Sequence, residues 1–314
     1  MSIPSRYLGI DVSKDTLQVA FERNHWQFPN SKEGHRKLVA QIKKQSSPIH
    51  VVCEATGPYH LAMCLSLQEA GIAFTISNPA RIHYFGRSEG IIAKNDPIDA
   101  ELIERFANAK RPEPDPPLCP HHLVLCEMVA YRRQLVDMIA VFRIQQKQVH
   151  DPALIGEIKK SITLFTQRVR LIEQHLRKKI ETLPHWKKKY DQLVSVKGVG
   201  FVTAVVLLVK MPELGSLNRG QCAALSGLAP YDDDSGKHKG KRSIKGGRCE
   251  VRRALYMAAV TAVQCNPILK TFHQHLLAEK KPFKVAITAV MRKLLIHLNG
   301  LLKTDQPPAP AAST

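Results

Sequence analysis

Tyr7-Leu8-Gly9-Ile10-Asp11 and Ile49-His50-Val51-Val52-Cys53-Glu54 are two apolar runs of strand length, each ending on an acid. Runs of this kind, bounded by turn-forming residues, read as buried strands of an α/β sheet. Asp96 and Asp99 stand three apart at the start of a helical pattern, on one helix face. Four carboxylates, Asp11, Glu54, Asp96 and Asp99, thus have the means to converge. Hard cations such as Mg²⁺ or Mn²⁺ take carboxylate oxygens. Taken singly, each acid has a plain structural role. A strand-end acid caps a loop or forms an ion pair, and Asp96-Pro97-Ile98-Asp99 is what a helix N-cap followed by Pro at the first helical position looks like. Taken together in this order, the four favour a metal site.

Outward from these runs, Thr16-Leu17-Gln18-Val19-Ala20-Phe21 reads as a strand paired with the first through the turn at 12–15. Residues 31–45 read as an amphipathic helix. A helix from Pro58 to about Ala70 stops at Gly71, and Ile72-Ala73-Phe74-Thr75-Ile76 reads as a strand. A basic loop with Arg81, His83, Arg87 and Lys94 leads into the helix from Asp96 to about Asn108. The order β-β-α-β-α-β-α predicts an α/β domain with a mixed sheet over residues 1–109.

Lys110-Arg111-Pro112-Glu113-Pro114-Asp115-Pro116-Pro117 opens a Pro-rich stretch that reads as a linker. A helical connector follows to residue 188. Its apolar seam runs through Ile158, Ile162, Phe165, Val169, Ile172, Leu176 and Ile180, spacings that suit a helical hairpin or a coiled coil. An intramolecular antiparallel pair and a dimer both satisfy that pattern. The last domain spans 189–304. In it, Val196-Lys197-Gly198-Val199-Gly200 sits between two apolar helical turns, as in a helix-hairpin-helix. Lys197 and the backbone of Gly198 and Gly200 are candidate phosphate contacts. Residues 305–314 read as a disordered tail.

The chain of 314 residues carries 46 Lys+Arg against 27 Asp+Glu, a formal net charge of +19. The excess is uneven: 13 basic and 11 acidic side chains up to Lys110, 33 and 16 beyond. A nearly neutral domain bears the acids, and the remainder carries a field suited to a polyanion. A phosphodiester is the natural target of such a metal site. The seven cysteines form no C-x-x-C pair, which argues against zinc and for a reducing cytosol. Neither a signal-peptide pattern nor an apolar run of membrane-span length is apparent.

From Lys237 to Arg253 there are eight Lys/Arg and one acid, Glu250. Lys237, Lys239, Lys241, Arg242, Lys245, Arg248, Arg252 and Arg253 are interleaved with Gly240, Gly246 and Gly247, and the segment runs into a helix near residue 250. Lys/Arg, glycine amides and a helix start are the usual phosphate contacts. A solvated basic loop is the plain alternative. Ser235, beside Gly236, is sterically free, and its hydroxyl is a candidate nucleophile toward phosphorus.

Gly9-Ile10-Asp11-Val12-Ser13-Lys14, Cys53-Glu54-Ala55-Thr56-Gly57-Pro58-Tyr59, Ser77-Asn78-Pro79 and Lys94-Asn95-Asp96-Pro97-Ile98-Asp99-Ala100 resemble the RuvC-like DEDD domain of a bacterial insertion-sequence transposase family. That family includes the Piv-type DNA invertases and the bridge-RNA-guided recombinases. Leu225-Ser226-Gly227-Leu228-Ala229-Pro230 and Arg252-Arg253-Ala254-Leu255-Tyr256-Met257 resemble its second-domain motifs, so the resemblance covers about residues 6–303. It implies an RNase H-like (RuvC-like) metal domain binding Mg²⁺ or Mn²⁺, a coiled-coil connector, and a mostly helical transposase domain with a serine nucleophile. The family serine falls on Ser235, with Ser243 in the same loop as the alternative register. Asp232-Asp233-Asp234 precede it where basic residues can occur. The implied reaction is DNA strand exchange through a 5′-phosphoserine link. The implied partners are donor and target DNA, a structured guide RNA, and further copies of the chain as a dimer or tetramer. The implied location is the bacterial cytoplasm, at the nucleoid. Three other readings stay open: a RuvC-like structure-specific nuclease using water, an actin-like or sugar-kinase ATPase, for which no second Gly-rich loop is found, and a non-catalytic RNA-binding protein.

Overall fold

The computed structural model describes residues 6–90, 96–232 and 242–303, with the side chains of residues 96 and 97 set aside. The chain divides into two compact units, Met1–Pro120 and His121–Thr314.

In the first unit, β1 (Arg6–Val12), β2 (Thr16–Phe21) and β3 (Asn24–Pro29) form an antiparallel meander. Helix α1 (Lys32–Lys43) starts on Ser31, whose side chain accepts the Gly34 N–H. Strand β4 (Ile49–Glu54) pairs parallel with β1. Helix α2 (Leu61–Glu69) then leads to β5 (Ala73–Ser77), parallel to β4. The sheet order β3-β2-β1-β4-β5 is mixed, as the element order predicts. Leu8, Ile10, Val51 and Cys53 face Leu38 of α1 and Met63 and Leu67 of α2. Tyr7 and Val52, of opposite parity, face α3 (Pro79–Ser88) and α4 (Asp96–Lys110) through Ile82, Ile103 and Phe106. Burial on both faces explains the unbroken apolar runs of β1 and β4.

Three sequence expectations change here. The segment 79–88, read as a basic loop, is α3: Asn78 accepts the Ala80 N–H and Pro79 opens the helix. Strand β3 is an added element, with Trp26 and Phe28 half-buried on alternate positions. The Pro-rich stretch is not a free linker. The Asp115 N–H donates to Phe74 O (2.9 Å) and its carboxylate accepts the Ile76 N–H (2.7 Å). Thr75 Oγ1 donates to Glu113 O, and Gln68 exchanges two bonds with Leu118. The stretch thereby covers the open edge of β5, which would otherwise present unpaired backbone groups.

In the second unit, α5 (Pro120–Gln146) and α6 (Pro152–Glu181) form an antiparallel hairpin. Phe142 stacks on Phe165 with ring centroids 5.7 Å apart, Arg132 pairs with Glu173 at 2.7 Å, and Leu125 and Val129 pack with Leu176 and Ile180. Partners whose numbers rise on one helix and fall on the other define an intramolecular antiparallel pair. The connector belongs to this unit rather than forming a third body. Helices α7 (Pro184–Val194) and α8 (Phe201–Lys210) flank the predicted hairpin turn. They are followed by α9 (Arg219–Leu225) and the two-residue strands β6 (Pro230–Tyr231) and β7 (Ser243–Ile244). Helices α10 (Cys249–Cys265), α11 (Pro267–Ala278) and α12 (Phe283–Lys303) complete the unit. By length and composition α12 matches a membrane span, contrary to the sequence expectation, but half of that apolar window is buried inside the protein. Val290, Leu294, Leu295 and Leu298 are fully buried with Leu193, Leu255 and Ala259, so one face of α12 belongs to the hydrophobic core of this unit.

Candidate functional site

The β1–β4 register pairs Ile10 with Cys53, so Asp11 and Glu54 lie side by side at the ends of adjacent parallel strands. Side chains alternate along a strand. Asp11 shares the face of Tyr7, and Glu54 that of Val52, so both acids project toward the α3–α4 side of the sheet. Both are half-buried. Helix α4 is brought over the same place by Gly9. A Cβ built there would lie 2.4 Å from both Ala100 O and Glu104 N, so the glycine lets the α4 backbone rest directly on β1. Asp99, adjacent to Ala100, is half-buried on that helix.

Glu104, further along α4, has a different task. Glu104 accepts the Glu22 N–H at 2.8 Å and so holds the β2–β3 turn, where Glu22 and Arg23 have positive φ. Burial raises its carboxyl above the ordinary carboxylate range.

Ser77 is a residue that sequence reasoning quoted without a role. It pairs with Glu54 in the β4–β5 register and therefore shares its face. Its hydroxyl is buried and finds no hydrogen-bond partner among the described residues. A buried hydroxyl without a partner is costly, and a bound water or ion is one way to satisfy it. The signal available in the sequence was the polar end of an apolar strand, placed beside Glu54 only once the register is known.

Among the described residues, no three His, Cys, Asp or Glu side chains form a ready-made metal cluster. The side chain of Asp96 lies outside that set. The donor chemistry nevertheless fits a divalent cation: hard carboxylate oxygens from two strand ends and a helix, with an orphaned hydroxyl on the same face.

The basic elements of the second unit separate into surface groups and anchors. Lys197 is exposed. Gly200 caps α8 in open space. Gly198 is required by packing instead: its φ is +103°, and a Cβ would come within 2.5 Å of Ala262 Cβ. Arg248 makes two bonds to Glu213, at 2.7 and 2.6 Å. Burial works to raise Glu213, but the Arg248 guanidinium outweighs it and holds the carboxyl below its ordinary range, while Glu213 raises Arg248. Arg252 donates to Gly246 O at 2.7 Å and to Gly227 O at 3.4 Å. Of these two arginines, both expected as phosphate contacts, Arg248 is paired with Glu213 and Arg252 gives one guanidinium nitrogen to backbone carbonyls.

They close a clamp around the basic segment. Gly247 lies so near Gly227 that a Cβ would sit 2.1 Å from the Gly227 N, and the Arg248 N–H donates to Leu225 O. Tyr231 pairs with Ser243 and Pro230 with Ile244. Arg242 forms an ion pair with Asp232. Arg253 and Lys245 are exposed. Ser235, Lys237, Lys239 and Lys241 lie outside the described residues, whereas Ser243 is exposed on β7.

Comparison with known proteins covers both units. Residues 8–150 match the DEDD transposase family profile of the IS110 type, and residues 190–274 match the transposase IS116/IS110/IS902 family. The chain is 27% identical over 316 aligned residues to the pilin gene-inverting protein of Moraxella bovis, covering 96% of this chain and 97% of that one. It has the same identity and coverage with the pilin gene-inverting protein of Moraxella lacunata. It is 26% identical over 152 residues to the insertion element IS110 uncharacterized 43.6 kDa protein of Streptomyces coelicolor, covering 48% of this chain and 36% of that one.

Proposed function

The chain belongs to the IS110-type DEDD transposase family and is a DNA recombination and transposition enzyme, and from that premise we propose a division of labour between its two units. The first is an RNase H-like (RuvC-like) domain in which Asp11, Glu54, Asp96 and Asp99 hold Mg²⁺ or Mn²⁺. The observation that carries this reading is the pairing of Asp11 and Glu54 at the ends of adjacent parallel strands, on the face covered by α4. A divalent cation bound there supplies charge neutralisation at a scissile phosphate. The carboxylates would hold that cation in place, and Ser77 is available to orient Glu54.

In the second unit Ser235 acts as the nucleophile. Its Oγ bonds to phosphorus, the P–O3′ bond breaks, the leaving 3′-oxygen takes up a proton, and the DNA 5′ end is left as a phosphoserine ester. Attack by the freed 3′-hydroxyl of another strand reverses these bonds and restores the serine. Lys197, Gly200, Lys237, Lys239, Lys241, Arg242, Lys245 and Arg253 contact nucleic-acid backbone, with Arg248 and Arg252 acting as loop anchors and Gly198 as a packing position. The net charge beyond Lys110 supports a second polyanion besides the DNA: a structured guide RNA that selects donor and target by base pairing. The protein works as a homo-oligomer, a dimer or tetramer, in the bacterial cytoplasm.

The test is a suicide DNA substrate that traps the covalent adduct. The adduct should map to Ser235 and disappear in Ser235→Ala. An adduct that persists in Ser235→Ala and is lost in Ser243→Ala would move the nucleophile, and cleavage without any adduct would replace it with water. Mixed Ser235→Ala and Asp11→Ala protomers should recover cleavage if serine and acids come from different chains. Loss of target selection after ribonuclease treatment of the purified protein tests the guide RNA.

A further inference from the structure

A groove of about 250 Å³ opens in the second unit among α5, α6, α8 and α10. Leu176, Phe201, Val202, Val205, Val206 and Met257 line it, together with Glu250, which is paired with Lys210 at 3.0 Å. Arg132, Arg133 and Arg253 line it as well. An engineered apolar cavity of about 150 Å³ holds benzene, so this groove has room for a larger flat ring. Phe201 is fixed from outside the groove: the Arg177 guanidinium lies 3.7 Å from its ring centroid and Tyr190 meets it edge-on.

The three arginines differ. Arg132 is paired with Glu173 and Arg133 with Asp137, each at 2.7 Å, which fixes them in place. Arg253 is exposed, and its charge acts on Asp137 without an ion pair at contact distance among the described residues. Its place in the chain matters: it lies in the first turns of α10, as the last cation of the basic segment, while Phe201 is the first residue of α8, directly after Gly200. The groove is therefore flanked by both elements assigned to the nucleic-acid backbone.

We propose that this groove receives one unpaired base of a bound DNA strand, turned out of the helical stack, with Arg253 holding its phosphate. The inference rests on the nucleic-acid reading above and adds a site to it. An apolar slot with an aromatic wall and a cationic rim matches a nucleotide, whose base has a π-face and whose backbone is anionic. A second copy of the chain would bring the same arginine rim toward its own, on a unit that already carries the excess positive charge. DNA is favoured over RNA because the lining presents only apolar and charged side chains, with no hydroxyl or amide to recognise a 2′-OH.

The full chain is titrated with two DNA duplexes that differ at one position, a bulged 2-aminopurine against the same base fully paired. The bulged duplex should bind about 10-fold tighter, the scale of one base stacking on protein, and its 2-aminopurine fluorescence should rise on binding. Val206→Phe fills the slot; it should erase both the preference and the fluorescence change while the paired duplex binds as before. Met257→Ala, at a side chain 62% exposed, cannot disturb the core and should shrink the preference. A preference that survives Val206→Phe in a folded protein overturns the slot, as do equal affinities of wild type for the two duplexes. Tighter binding of the ribonucleotide version overturns the assignment to DNA. A shift in oligomeric state with Val206→Phe and no change in preference would give the groove to a second copy. Failure of wild type to bind any duplex would remove the nucleic-acid reading itself, and the slot with it.

Discussion

Asp11 and Glu54 stand where two parallel strands end, and a hydrogen-bonded register fixes their spacing. The described residues on either side of the basic segment are held differently, by the β6–β7 pair, by Gly227 against Gly247, and by Arg248 and Arg252 bonding to Glu213 and to backbone carbonyls. Sheet register tolerates little motion, because a one-residue slip turns every side chain to the other face. The contrast suits the two tasks proposed above: carboxylates that hold a metal gain from a fixed register, whereas a segment proposed to meet DNA lies between fixed flanks.

The largest effect should come from the sheet side. Asp11→Asn keeps the size and loses the charge, so strand cleavage should fall at least on the order of 10³-fold, the upper scale for losing one preorganised electrostatic group. Its thermal midpoint should stay close to wild type. A variant that cleaves at a comparable rate in the same metal buffer would remove Asp11 from the chemistry.

What the sequence makes legible follows the same division. Strands β1 and β4 were legible because both faces are buried and their apolar runs are unbroken. Their acids were legible because each ends such a run. Strand β3 was hidden: only Trp26 and Phe28 are apolar, in a segment otherwise polar and exposed. Helix α3 was hidden by Arg81, His83 and Arg87, although Asn78-Pro79 announced a helix start. The role of Asp115 could not be read, because prolines around it describe local stiffness and not the strand edge that the segment covers. In the basic segment the sequence presents eight equivalent cations, and only the fold reveals that Arg248 and Arg252 are bonded inward. Gly198 and Gly200 look alike in sequence, yet one is packed on Ala262 and the other is open.

A matched pair of glycine variants probes the contrast directly. Gly9→Ala forces a Cβ onto the α4 backbone, and Gly247→Ala forces one onto Gly227 at a φ of +66°. Each should cost about 1–3 kcal/mol, the range for overpacking or a strained backbone. Gly9→Ala should lower the unfolding midpoint of the first unit and cleavage together. Gly247→Ala should lower cleavage while the first unit melts as before. Equal effects of the two on the first unit's midpoint would show that the clamp is not local.

A smaller, pH-dependent effect belongs to Arg248. Glu213 has a depressed folded-state pKa, so its contribution is present above the unfolded carboxylate value of about 4.3 and is lost as pH falls through the folded value. The pair is more than one-third exposed on both sides, which limits it to about 1 kcal/mol or less. Arg248→Gln should therefore lower the urea midpoint slightly at pH 7 and not at pH 3. An equal loss at both pH values would assign the effect to packing of the Arg248 stem.

The smallest effect separates a surface cation from an anchor. Lys197 is exposed on the hairpin turn beside the open Gly200, whereas Arg248 is already bonded to Glu213. Each phosphate contact released from a duplex changes the slope of log K against log salt by about 0.9. Lys197→Gln should lower the slope by about one contact, weakening binding by a similar factor on every sequence. Arg248→Gln should keep the slope, even where loosening of the loop lowers affinity, because its guanidinium displaces no counterion from DNA. Salt titrations of both variants on one duplex compare the two roles in a single experiment. If Arg248→Gln flattens the slope and Lys197→Gln does not, the assignments of anchor and contact are reversed, and the ion pair with Glu213 must open when DNA binds.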